Sequence, residues 1–217
     1  MNARKTLIAS SLRALIAFML AVPAHAGILG TAHDFSQKAW NTGTTYSQEI
    51  CVVCHVPHNG RGALQSPVGL LWNRDITSSV FDPYNSPTLK FVPGQPDGAS
   101  KLCLSCHDGT IAIDRFGMND GGSQFMTGNR NLGVDLKNDH PVSFTFDSAL
   151  ASAVGTLKDP SVADSGLGGT IQNRMLRANK VQCVSCHNPH NPANNAKFLV
   201  KSNNSSGLCL TCHNFGN

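Results

Sequence analysis

Hydrophobic patterning along this chain is strong in one place and sparse elsewhere. An uninterrupted apolar run from Ala14 to Val22 follows Arg4, Lys5 and Arg13 and precedes Ala24-His25-Ala26. A basic start, a short apolar stretch and an A-x-A cleavage site predict that residues 1–26 are a secretory signal peptide, with the mature chain starting at Gly27. The run is about half of the ~20 residues that cross a bilayer, and no later segment is apolar enough to span. Beyond the leader, Val142, Phe144 and Phe146 alternate as in a strand, and alanines with Leu150 between Asp147 and Leu157 predict a helix. Gly60 to Gly69 and Val92 to Ser100, rich in Gly and Pro, read as loops.

Aromatic residues make up only 6% of the chain, against 20 Gly and 11 Pro, which is thin material for an ordinary packed core. The cysteines supply the missing cohesion. All eight fall in four copies of Cys-x-x-Cys-His: CVVCH at 51–55, CLSCH at 103–107, CVSCH at 183–187 and CLTCH at 209–213. This is the signature of covalent haem c attachment. Two thiols two residues apart can add to the vinyl groups along one edge of a porphyrin, and the next residue then lies under the iron. Cys51, Cys54, Cys103, Cys106, Cys183, Cys186, Cys209 and Cys212 are therefore the expected attachment residues, with His55, His107, His187 and His213 as proximal ligands. Zinc knuckles also use Cys-x-x-Cys pairs, but structural zinc does not need a histidine directly after the second cysteine four times out of four. A disulfide framework is the other alternative for an even cysteine count in an exported chain.

Nine histidines are present; four are proximal and His25 lies in the leader, which leaves His33, His58, His140 and His190. Four spare imidazoles for four open iron faces predict bis-His coordination throughout. His58 and His190 each sit three residues after a proximal histidine, in CHVPH and CHNPH, and Pro57 and Pro189 hold the chain extended before them. Neither easily reaches the far face of its own haem, so His58 is expected on the second haem and His190 on the fourth. His33 and His140, each upstream of a motif, are then left for the first and third. Met118, Met126 and Met175 are the rival axial ligands and read instead as packing against haem faces.

The chain thus divides into a first dihaem module at 27–135 and a second at 136–217, each a lead histidine, CxxCHxPHN, a spacer and LCLxCH. The expected fold is mostly coil with short α-helices at the attachment sites, little β structure and a core dominated by four covalently attached haems. Removing the three leader cations from the formal +4 leaves +1, so nothing in the mature chain suggests a nucleic-acid surface. Four saturated irons predict no catalytic residue and no enzyme.

The pairing of CHxPHN with LCLxCH, with HDFS before the first pair and DHPVSF before the second, resembles the doubled-CxxCH multihaem cytochromes. Among these the skeleton is most similar to the OmcE-type tetrahaem cytochromes of metal-reducing bacteria, which polymerise into extracellular filaments with a continuous haem stack. The resemblance implies a secreted, cell-surface or extracellular homopolymer, reached via the periplasm, that contacts other cytochromes and extracellular acceptors. It also implies that a histidine near the N-terminus ligates a haem of the neighbouring subunit, and His33 is the candidate. The residues alone leave His33 free to close a haem of its own chain instead. They also leave open a discrete periplasmic electron shuttle, and a multihaem reductase in which one histidine is not a ligand and one iron has an open face.

Overall fold

The computed structural model describes residues 27–41, 49–58 and 72–215, so the expected signal peptide and the loop expected at Gly60 to Gly69 lie outside the described residues. Among the described residues regular structure is scarce. Five α-helices, α1 (Gly98–His107), α2 (Ser148–Val154), α3 (Ile171–Arg174), α4 (Cys183–Cys186) and α5 (Cys209–Cys212), are joined by turns and extended chain. The only strands among the described residues are the two-residue pair β1 (Phe144–Thr145) and β2 (Lys180–Val181), antiparallel with Phe144 opposite Val181. This is the mostly coil, little-β architecture that the sequence predicts.

The helix expected at 147–157 is α2, and its ends have local causes. The Asp147 side chain accepts from the Leu150 N–H at 2.8 Å, and Gly155 closes the helix in the left-handed conformation at φ 74°. The alternation at 142–146 gives β1, with Phe146 buried and Phe144 stacked on Phe91 at 4.2 Å between ring centres.

Two elements differ from expectation. The loop read over Val92 to Ser100 ends early, because Gly98 opens α1. Its first turn is capped from a distant part of the chain: the Ser100 N–H donates to Oε1 of Gln182 at 2.9 Å, and Asp97 pairs with Lys180. The first attachment site is not a helix but a single turn, closed by bonds from the Cys54 and His55 N–H groups to the Cys51 carbonyl at 3.1 and 2.8 Å. Val52 and Val53 follow Cys51, and β-branched residues gain little from extending a helix.

The protein also builds more core of its own than its composition suggests. Phe146, Ala151, Ile171, Met175, Leu176, Val181 and Leu208 form one buried cluster, with Cys186 and Cys212 packed against its edge. Met175 is thus part of this cluster, while Met118 is 90% exposed. A smaller cluster joins Phe81, Leu104 and Leu136. Helices α1 and α4 pack together, and the Cys183 N–H donates to the Ser100 hydroxyl at 3.0 Å, which brings the two expected modules into direct contact.

Candidate functional site

In every Cys-x-x-Cys-His copy the backbone makes one tight turn that sets both thiols on the same side. At the third and fourth copies the histidine N–H donates to the carbonyl of the first cysteine, at 3.0 Å from His187 to Cys183 and 3.0 Å from His213 to Cys209. The same bond closes the first copy, and the second forms the last turn of α1. Neighbouring chain pins each turn: Asn73 donates to the Cys54 carbonyl at 2.9 Å, Val200 to Cys186 at 2.9 Å and Lys158 to Cys212 at 2.8 Å.

All eight cysteines are free thiols. Among the described residues no three or more His, Cys, Asp or Glu side chains converge on a metal-sized point. Burial raises Cys54 to about 12 and Cys186 to about 11. Interaction between Cys103 and Cys183 raises the first and lowers the second, so the thiols of the second and third copies influence one another. Cys54 also feels Cys106, and Cys186 feels Cys212, so the thiols of successive copies lie within electrostatic range of each other.

The imidazoles meet in pairs. His55 faces His190 with ring centres 6.1 Å apart, His107 faces His33 at 6.2 Å, and His213 faces His140 at 6.3 Å. Taking an imidazole nitrogen about 2.0–2.1 Å from a first-row metal, with the ring centre about 1.1 Å behind it, two rings across one metal have centres about 6 Å apart. One such pair would be unremarkable, since aromatic rings commonly lie ~4.5–7 Å apart. Here three pairs share one separation, each joins a motif histidine to a non-motif one, and their interplanar angles scatter over 19°, 53° and 82°. Fixed separation with free rotation is what axial ligands of a shared metal require, whereas direct ring packing would select the angle.

Hydrogen bonds to the other ring nitrogen orient several of these imidazoles. Nδ1 of His107 donates to the Arg130 carbonyl at 2.8 Å, that of His187 to Lys197 at 2.9 Å and that of His140 to Pro141 at 2.9 Å. Each such bond fixes the tautomer with the Nε2 lone pair directed away, as in metal-bound histidines generally. His33 is bonded to the Pro189 backbone and stacks on Phe198 at 4.7 Å, and burial lowers its pKa, keeping the imidazole in the neutral form that ligates. The residues present fit haem c: two thiols and one imidazole in each turn, with a second imidazole opposite in three of the four. His187 is the motif histidine outside these three pairs.

The pairing differs from the one read from chain order. His190 faces the first motif rather than the fourth, His33 the second rather than the first, and His140 the fourth rather than the third. Chain order fails because α4 docks on α1, which returns the 187–190 turn to the first motif. Within this chain His33 meets His107 of its own polypeptide. Gln182, which caps α1, and Asn73, which bonds the carbonyls of Cys54 and of Val52 (2.6 Å), position the motifs without any sequence signal of their own.

Residues 177–216, which contain the third and fourth motifs, match the doubled CXXCH motif family. No curated protein matches the chain. The family match, joined to four motifs of one geometry, supports a multihaem c-type cytochrome with covalently bound haem c, a class that serves electron transfer.

Proposed function

We propose that the chain is an exported tetrahaem cytochrome whose four bis-His haems pass electrons from one to the next. The three imidazole pairs at one common separation carry this reading. A haem with two protein ligands offers no face to a substrate, so the protein moves electrons and does not catalyse a bond change. When bound, the haems supply one-electron redox centres; the polypeptide fixes their order and keeps water from their edges. The electrostatic influence of Cys106 on Cys54, of Cys183 on Cys103 and of Cys212 on Cys186 favours a chain of centres in sequence order. Because His190, which trails the second CHxPH motif, faces His55 of the first, the reading assigns the matching crossing of His58 to the third haem, so that the two CHxPH motifs exchange their trailing histidines.

The similarity of the haem-site skeleton to the OmcE-type cytochromes favours a secreted polymer that conducts to extracellular acceptors. In that form residues 27–41 exchange between copies and carry His33 onto the next subunit, a low-cost route to assembly. A second reading, a discrete periplasmic shuttle, is favoured by the meeting of His33 and His107 within one chain. Negative-stain electron microscopy of haem-containing material sheared from producing cells, identified by mass spectrometry, separates them. Long uniform filaments that disappear in His33→Ala support the polymer; small particles alone support the shuttle.

A further inference from the structure

The segment from Asn73 to Thr77 runs between the first two motifs and is bonded to both. Asn73 holds the first motif through Cys54 and Val52, and the Thr77 N–H donates to the Ser105 hydroxyl of the second at 3.0 Å. Between these anchors lies Arg74, 1% exposed. Its two terminal nitrogens donate to the carbonyls of Ile113 at 2.6 Å and Ala112 at 2.7 Å, while Nε is buried without an acceptor. Among the described residues no carboxylate pairs with it. Asp75 is engaged by Arg115 at 2.7 Å, Asp108 by Thr77, Ser79 and Thr110, and the segments outside the described residues contain no Asp or Glu. The guanidinium also lies close enough to both sulfurs to counter the burial that raises Cys54 and Cys106, while Asp108 acts the other way on Cys106.

A strut between two loops needs donors but not a charge, and an uncompensated buried charge is costly. The charge therefore has an effect that a neutral strut would lack. Resting on the reading of the motifs as haem sites, we propose that Arg74 is a fixed cation at the facing thioether edges of the first and second haems, where it raises their reduction potentials. The ferric form of each iron carries one positive charge more than the ferrous form. A nearby cation in a low-dielectric interior disfavours the ferric state, and accepting one electron per iron relieves the repulsion. The third site has no such neighbour: beyond its own motif, the charged group felt by Cys183 is Asp139.

The test is a spectropotentiometric titration of the holoprotein alongside Arg74→Gln and Arg74→Lys, with haem content fixed by intact mass. The expected result is that Arg74→Gln moves two of four centres to lower potential and leaves two in place, while Arg74→Lys restores most of the shift. Four haems with unmoved potentials, a uniform shift of all four, or an equal shift in both variants would overturn the role of Arg74. Should Arg74→Gln not load haem, the three-haem variant Cys183→Ser/Cys186→Ser decides. Loss of a step from the lower half of the wild-type titration supports the proposal, and loss from the upper half overturns it. Wild-type protein without haem would overturn the underlying reading itself.

Discussion

Around the first two motifs the contacts that hold the chain together are polar. Asn73, Arg74, Thr77, Ser105 and Asp108 are all buried, and they join the motifs through directed hydrogen bonds. Around the last two motifs an apolar cluster takes the larger share: Ile171 is fully buried, and with Phe146, Met175, Val181 and Leu208 it forms a cluster that reaches Cys186 and Cys212, with Lys201 bonded to Thr211 and Ser165 beside it. The same five-residue motif is thus supported by two different kinds of interior. Covalent attachment fixes each haem to its turn, so the surrounding chain is free to use either means. The choice has a consequence, because the hydrogen-bonded interior encloses the charge of Arg74 completely, whereas Lys158 and Lys201 beside the fourth motif stay exposed or half-buried.

The contact that spans both regions gives the largest expected change. His190→Ala removes the imidazole opposite His55, so one of four ferric centres should become high-spin, as read by the absorption spectrum; an unchanged low-spin spectrum would break the pairing. Within the apolar region, Ile171→Ala should cost about 2–5 kcal/mol in guanidinium unfolding, the range for a large side chain removed from a packed core. Within the polar region, Asp108→Ala leaves the buried hydroxyl of Thr77 without its acceptor, 2.5 Å away, and should cost about 1–3 kcal/mol with a smaller loss from Asp108→Asn. Equal sensitivity of both regions to apolar truncation would remove the distinction between them.

The smallest effect belongs to the surface link between the regions. Burial pushes Asp97 up, but bonds from Lys180 and Gln182 outweigh it and hold its carboxyl below the ordinary 3.8. A depressed carboxylate contributes stability that is present above the unfolded value and lost as pH falls through the folded one. Lys180→Met should therefore flatten the acid limb of a stability profile below about pH 4 and change neutral stability by only about 0–1 kcal/mol, as expected for a half-exposed pair.

Features set by short-range chemistry were legible in the sequence. Thioether spacing is a matter of five residues, so all four motifs could be placed, and Asp147 with Gly155 marks a helix whose caps are adjacent to it. The distal pairing was not legible, because it depends on how α4 returns to α1. That return is made by Gln182 reaching Ser100, 82 positions away, and neither residue belongs to a recognisable pattern. Arg74 was equally silent: a lone arginine in WNRD reads as a solvated charge until the fold buries it. The apolar cluster was silent for a related reason, since its members are scattered from 146 to 208 and show no local periodicity.

The most direct test of the account is the integrated electron paramagnetic resonance spectrum of the ferric protein against haem content measured by intact mass. Four haems per chain with all spin intensity in low-spin signals is the predicted result. A high-spin signal integrating to one centre or more in the wild-type protein, or fewer than four haems, would contradict it.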